Sequence, residues 1–264
     1  MRHALLAALL TAPLATPALA APKADPAIVA AVASPERTPA NVARDRYRHP
    51  VETLGFFGVR PGQTVVEFLP SRGWYTEILA PMLSGRGRYI ALAQTDEKAQ
   101  ASLAKLVASS PRYAGATTAG LDFATGAATV PDGSADVVLT FRNIHNLVMR
   151  GEDAPRKAFA AFHRMLKKGG VLGVVDHRLP EEMDGAREKD SGYIKRSTIL
   201  RLATDAGFRL AGESRVNANP KDTHAWPKGV WTLPPTFAEG DADRAKYAAI
   251  GESDRLTMKF VKPG

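Results

Sequence analysis

The chain reads as an α/β protein, a three-layer sandwich with a mostly parallel seven-stranded sheet, helices on both faces and an N-terminal helical extension. Three observations predict this. Short β-branched or apolar runs alternate with segments whose apolar residues recur every three to four positions, the signature of strands joined by helices. Seven such runs lie between Thr64 and Val261, enough for one sheet. The 264 residues are 45% hydrophobic and include no cysteine, so one large core must hold the fold without disulfides.

The first twenty residues stand apart. Arg2 and His3 give a basic start, Ala4 to Leu10 is apolar, and Ala18-Leu19-Ala20 offers the small-x-small pattern that signal peptidase reads. The expectation is a leader at residues 1–20 cleaved after Ala20, and a product exported to the periplasm or secreted. The apolar run is too short to span a membrane and is followed by Pro13 and Pro17, so no transmembrane span is expected. Residues 21–52 are rich in Ala and Pro and read as an extension and helical cap, with a helix around Ala27 to Ala33. The main domain is expected to run from residue 53 to 264.

Thr64 to Leu69 follows the turn Pro61-Gly62 and fits a buried strand. After Pro70 to Gly73 the period changes, with Trp74, Ile78, Leu79, Met82 and Leu83 on one helical face. Arg88 to Ala93 is the second strand, Glu97 to Ser109 an amphipathic helix, and Thr117 to Leu121 a weak third strand. Asp136 to Phe141 is a strong fourth strand after the turn Pro131-Asp132-Gly133. Ala154 to Leu166 forms a helix through Ala158, Phe159, Phe162 and Leu166, with Lys167 and Lys168 against its dipole and Gly169-Gly170 as its stop. Val171 to Val175 is the fifth strand. Ser197 to Ala206 is a helix closed by Gly207, and Phe208 to Ala211 and Arg255 to Val261 supply two late strands.

The net charge of +8 is dispersed. Its densest segments, Arg44 to Arg48 and Arg86 to Arg88, lack the aromatic interleaving of a single-strand-binding groove and read as solvated surface, which argues against a nucleic-acid partner. The absence of cysteine excludes thiol nucleophiles, thiolate metal sites and thioether-linked lipid.

In an open parallel sheet, ligands bind beyond the carboxyl ends of the strands. That rule selects Leu69 to Gly73, Ala93 to Asp96, Leu121-Asp122, Arg142 to Leu147 and Asp176 to Arg178. Among them, His145 lies between Asn143 and Asn146 and can accept a proton near neutral pH, while Asp176-His177 can orient or polarise an imidazole. A hydrogen-bonded structural histidine is the other reading of His145. These residues are also metal-ligand types, yet the chain has no helical His-x-x-x-His spacing, and no metal is expected. Leu69 to Gly73 sits where a nucleophile elbow with Ser71 would, but Leu69 is too large for that turn. Tyr193 is a candidate aromatic lid or a packing residue, and His49 a weaker pocket residue.

The segment Val66 to Thr76 resembles the first motif of class I S-adenosylmethionine-dependent methyltransferases, in which an acidic residue ends strand one and a glycine-rich loop opens the next helix. Leu121-Asp122-Phe123 is similar to the acidic position after strand three, Pro131 to Thr140 to the turn and strand four, and Phe162 to Val175 to the turn into strand five. The resemblance runs from about Arg44 to Pro263. A narrower one is to a group of exported bacterial predicted methyltransferases, through Arg44-Asp45 with Arg48-His49-Pro50, Phe56 to Val59, Gly73 to Pro81, Asn143 to Asn146, Asp176 to Arg178, Ser191 to Ile194 and Asn219-Pro220.

The resemblance implies a Rossmann-like fold, S-adenosyl-L-methionine as methyl donor and transfer to a small-molecule acceptor. It implies that Glu67, Leu69, Ser71, Gly73, Gln94, Asp122 and Asn143 hold the donor, while His145, Asp176 and His177 form the catalytic wall. Leu69 and Ser71 stand where the family has glycines, and Ala93 where a carboxylate usually takes the ribose hydroxyls, with Gln94 and Asp96 as neighbouring substitutes. These departures motivate an alternative: an exported binding protein, or degenerate methyltransferase fold, that holds another nucleoside or small metabolite.

Overall fold

A computed structural model describes residues 24–264. The expected leader and its cleavage point lie outside the described residues. Among those described, no helix is long and apolar enough to cross a membrane.

Four short helices come first: α1 (Pro26–Val32), α2 (Pro39–Val42), α3 (Asp45–Arg48) and α4 (Pro50–Phe57). Proline at the first turn of α1, α2 and α4 fixes φ where no amide partner is lost. Then follow β1 (Thr64–Phe68), α5 (Thr76–Leu83), β2 (Arg88–Gln94), α6 (Glu97–Ala108), β3 (Thr117–Leu121) and β4 (Ala135–Phe141). The second half holds α7 (Ile144–Val148), α8 (Asp153–Met165), β5 (Leu166–Leu179), β6 (Ile194–Lys195), α9 (Arg196–Asp205), β7 (Arg209–Ser214), α10 (Arg244–Ile250) and β8 (Arg255–Val261).

The sheet order is β3-β2-β1-β4-β5-β8-β7, with β6 pairing β5 off this path. The strands from β3 to β5 are parallel, and β8 runs antiparallel between β5 and β7. The order reverses between β1 and β4, where an open sheet offers its ligand crevice.

Alternation along the strands sends successive side chains to opposite layers. Val66, Phe68, Leu92, Val138 and Val174 pack against α8 and α9, where Phe68, Phe159 and Phe162 are fully buried. Each such phenylalanine contributes roughly 1.5–3 kcal/mol by leaving water. Val65, Tyr89, Ala91, Val137 and Leu139 face the other layer, made of α1, α4 and α5.

The structure corrects three expectations. Lys167 to Gly170 do not simply end a helix: β5 begins at Leu166, and Gly169 takes φ +74° while its amide donates to Lys262 O. The two-residue β6 and the single-turn α7 were not foreseen, both being shorter than a periodicity can reveal. Helix α5 begins at Thr76 rather than Trp74, whose indole Nε1 donates instead to Asn41 O at 2.9 Å and ties the N-terminal helices down over the sheet.

Candidate active site

The loop after β1 keeps a glycine-type path without the glycines. Leu69, Ser71 and Gly73 all have positive φ, at 51°, 54° and 79°. A non-glycine residue there carries about 1–2 kcal/mol of strain, so the surrounding framework imposes the path. Leu69 is held by its amide, which donates to Leu92 O at 2.8 Å, and by packing against both apolar layers. Gly73 has no alternative, because a Cβ there would lie 2.6 Å from Leu106 Cδ1.

Asn143, just beyond β4, spans to this loop: its Nδ2 donates to Phe68 O at 2.9 Å and Leu69 O at 3.3 Å. The side chain is buried and fixes the loop carbonyls. Glu67 is turned inward, 3% exposed, and its Oε2 accepts from the Tyr89 hydroxyl at 2.6 Å. Burial raises its carboxyl from 4.5 to about 7, although hydrogen bonds from Tyr89 and Thr76 work against that rise. Gln94 is half-buried at the end of β2. Asp122 folds back on its own turn, accepting from the amides of Ala124 and Thr125 and from Thr125 Oγ1. Ser71 is exposed at the loop's outer edge, and Asp96 caps α6 by accepting from Ala99 N at 2.9 Å.

At the end of β5, Asp176 is fully buried and accepts four hydrogen bonds. Its Oδ2 takes the amides of Ile144 at 2.7 Å and His145 at 3.1 Å, which anchors the start of α7. Its Oδ1 takes the His177 amide at 2.8 Å and His145 Nδ1 at 2.6 Å. With its proton on Nδ1, His145 presents Nε2 as a free acceptor. That nitrogen has no protein partner among the described residues, and it is not among the sealed orphan atoms.

His177 is differently placed. Arg142 Nε donates to its Nε2 at 3.3 Å, so Nδ1 carries the proton and donates to Ser253 Oγ. Burial first, then the Arg142 charge, holds this imidazole well below its ordinary range. The sequence reading set His177 in the catalytic wall; in the structure both of its ring nitrogens are engaged, and protonation would place a second cation beside Arg142. The two imidazole rings lie 5.0 Å apart, which makes His177 a support for His145.

Of the two readings of Tyr193, the structure shows packing. Its ring is fully buried and its hydroxyl lies 3.0 Å from each oxygen of Asp222, so it is a fixed strut rather than a mobile lid. Asp222 also accepts from Trp226 Nε1, His224 N and Asp254 N, and this hub ties the β7–β8 connection, residues 215–254, across the end of β5. From that connection Trp231 meets the His145 ring edge-on at 6.3 Å. His49 sits in left-handed backbone between α3 and α4 and turns the chain into Pro50.

Sequence reasoning missed an arginine cluster. Arg44 and Arg48 were read as solvated surface, yet Arg48 is 6% exposed and Arg44 is half-buried. Glu252 takes Arg44 Nε at 2.6 Å, Arg48 Nε at 3.2 Å and Arg255 Nη1 at 3.1 Å. Burial alone would raise the Glu252 carboxyl, but Arg48, Arg255, Arg142 and Arg44 outweigh it and bring it down to about 2. Arg48 also lies over the Trp74 ring at 4.7 Å. The available signal was the spacing of Arg44 and Arg48, one helical turn apart and on one face.

A cleft of about 220 Å³ lined by Arg60, Gln63, Asp136, Lys167 and Lys259 lies at the opposite, amino-terminal edge of the strands, away from this chemistry. At the carboxyl edge the N-terminal helices and the 215–254 connection close over the residues described.

Comparison with known proteins agrees with this arrangement. Residues 70–174 match the family model described as a methyltransferase domain. The fold is shared with a SAM-dependent methyltransferase from Aquifex aeolicus, at 17% identity and TM-score 0.53, over 90% of this chain and 98% of that one. It is shared with a putative sarcosine dimethylglycine methyltransferase from Galdieria sulphuraria, at 14% identity and TM-score 0.56, over 82% and 86%. The cyclase SpnF is similar as well, at 17% identity and TM-score 0.55, over 80% and 79%. No curated protein matches the chain in sequence. The expected sheet with helices on both faces is therefore the observed one, a Rossmann-like methyltransferase fold.

Proposed function

We propose that this chain is an S-adenosylmethionine-dependent methyltransferase acting on a small-molecule acceptor. The observation that carries the reading is the loop after β1, whose left-handed residues Leu69, Ser71 and Gly73 follow a glycine-loop path at the switch point of the sheet. Along that path the amides of Ser71 and Arg72 have no protein partner among the described residues and can approach a ligand, which fits the methionine end of the donor. The loop would hold that end, and Gln94 would offer its amide to the ribose in place of the carboxylate missing at Ala93. Asp122 would accept from the adenine amino group.

When bound, the donor supplies an electrophilic methyl group; the acceptor nucleophile bonds to its carbon as the carbon–sulfur bond breaks and the electron pair stays on sulfur. His145 Nε2 receives the proton that the nucleophile gives up. Asp176 holds the tautomer that leaves this nitrogen open, and Asn143 keeps the donor loop in register with α7. Proximity and orientation supply most of the rate, since the chemistry asks for one nucleophile in line with one carbon–sulfur bond.

Isothermal titration of residues 21–264 with S-adenosylmethionine and with its demethylated product tests the reading. Binding of both is expected, and Leu69→Gly should tighten it by about tenfold by clearing the loop, with little change in melting temperature because relieved strain offsets lost packing. No heat with the parent at millimolar ligand, concentrations on the order of a weak Kd, overturns the proposal. Binding that appears only after Leu69→Gly is combined with Ala93→Asp marks the chain as a degenerate member instead.

The proposal includes export, on the strength of the basic start, apolar run and Ala18-Leu19-Ala20. Mass spectrometry of the exported protein should find Ala21 at its N-terminus; a chain retained with Met1 intact refutes this part.

A further inference from the structure

Four guanidinium groups converge around Glu252 from three distant parts of the chain: Arg44 just before α3 and Arg48 at its end, Arg142 from the end of β4 and Arg255 from the start of β8. The Glu252 carboxylate is shared by three of them. Its two oxygens do not satisfy the donors around it. Arg44 Nη2, Arg48 Nη2 and Arg255 Nε are buried with no hydrogen-bond partner, although Arg48 and Arg255 are only 6% and 3% exposed. An unpaired buried donor on a charged group costs several kcal/mol, and like charges at this range add to the cost. Natural folds rarely leave such a deficit unless something else meets it.

The deficit has one sign. Asp176 is committed to four donors of its own, and Asp254 is paired with Arg178 at 3.0 Å. What is missing is therefore a second negative group with several acceptor atoms. Arg142 supplies the approach: its Nε is fixed on His177, while its two terminal nitrogens have no partner among the described residues and are not sealed from solvent. The same holds for His145 Nε2, one imidazole away. The positive field that attracts an anion also makes a divalent cation on His145, Asp176 and His177 costly, although these three bring ligand atoms within 4.8 Å of one another.

We propose that the Arg44, Arg48, Arg142 and Arg255 cluster is an oxyanion site that seats the carboxylate or phosphate of the methyl acceptor. The forked donors of arginine match either group. An acceptor anchored there lies alongside His177 and sets its nucleophilic atom toward His145 Nε2. The nucleophile's proton passes to that nitrogen as its electron pair forms the bond to the methyl carbon, and the carbon–sulfur pair leaves on sulfur. The substrate class is then a small anionic molecule whose nucleophile stands a few bonds from its charged end. This assignment rests on the methyltransferase reading for the identity of the reaction, but the anion site itself does not.

The test uses residues 21–264 and titrates inorganic phosphate and, separately, acetate, each with and without saturating S-adenosylmethionine, read by calorimetry and by thermal shift. Phosphate or acetate is expected to bind, and the preferred one identifies the acceptor's charged group. Arg142→Gln, which removes no Glu252 contact, should weaken that binding by about tenfold or more, as should Arg48→Gln if it folds, while Arg196→Gln on the surface should not. Donor affinity should be unchanged by the anion. Neither anion binding below about 50 mM, or binding that ignores Arg142, overturns the oxyanion site even if the donor binds. Competition between phosphate and the donor overturns the acceptor assignment, since the cluster would then hold the donor's own carboxylate. Failure of the donor to bind while phosphate binds through Arg142 leaves the anion site standing and sinks only the methyltransferase reading.

Discussion

Replacing Asp176 by asparagine is expected to cost about 3–5 kcal/mol of folding free energy, from lost hydrogen bonds to a charged acceptor and the buried donors left unpaired. All four groups around this carboxylate are donors: the amides of Ile144, His145 and His177, and His145 Nδ1. Each oxygen accepts two of them, so an asparagine must turn its NH₂ toward one of the two pairs, which removes two bonds and sets donors face to face. The start of α7 and the orientation of His145 both depend on the same carboxylate, so the damage is not confined to stability. In ¹⁵N spectra of the histidine rings the parent should show His145 in the single Nδ1–H tautomer, and the variant a mixture. Urea unfolding that is unchanged within error, together with an unaltered tautomer, would show that Asp176 does not organise this wall. Asp176→Ala provides a second measurement with no misplaced donor; it should be destabilised by a comparable amount.

The next largest effect is a pH dependence of stability centred on Glu67. Its folded-state value is raised to about 7 from 4.5, chiefly by burial, so between those values the folded chain holds a proton that the unfolded chain has released. Stability from this group is complete below 4.5 and is lost as pH rises through about 7, by on the order of 3 kcal/mol in all. Glu252 has the opposite sign: its folded-state value is depressed to about 2, so its contribution is present above 4.5 and lost as pH falls toward 2. These two groups together place the optimum near pH 4.5–5, with Glu67 shaping the alkaline limb. Glu67→Gln keeps an acceptor for Tyr89 and an NH₂ for Thr76, and should flatten the loss between pH 4.5 and about 7 in denaturant titrations, the interval between the unfolded and folded values. A limb equally steep in the variant would assign the effect elsewhere.

The sheet was legible because its strands are marked by composition. Thr64 to Phe68, Arg88 to Ala93, Asp136 to Phe141 and Arg255 to Val261 are β-branched or apolar runs, and each proved to be a strand of the predicted layer. The flanking helices were legible by period, and the end of α9 by Gly207. Elements of two to five residues, β6 and α7, carry too few positions for a period, and Lys167 to Gly170 read as a helix stop because their pairing partners lie far along the chain. The candidate site divides in the same way. Asp176 and His145 were found from position at strand ends, since that rule is local. The arginine cluster was not, because Arg48, Arg142 and Arg255 meet only after the chain has crossed the sheet several times. A basic residue's burial cannot be read from its neighbours in sequence. The roles of His177 and Tyr193 also depended on partners from the 215–254 connection, Ser253 and Asp222, which no motif tied to them.

The loop after β1 bears on how such chains are recognised. A fingerprint written in glycines records one means of reaching a backbone path, whereas here the path is enforced by Asn143, Leu92 and the two packed layers, with leucine and serine carried along it. The methyltransferase-domain match opens at residue 70, one position past Leu69. The shape of this turn is reached with other letters, so chains of this fold are better sought by the dihedral angles after the first strand than by the residues found there.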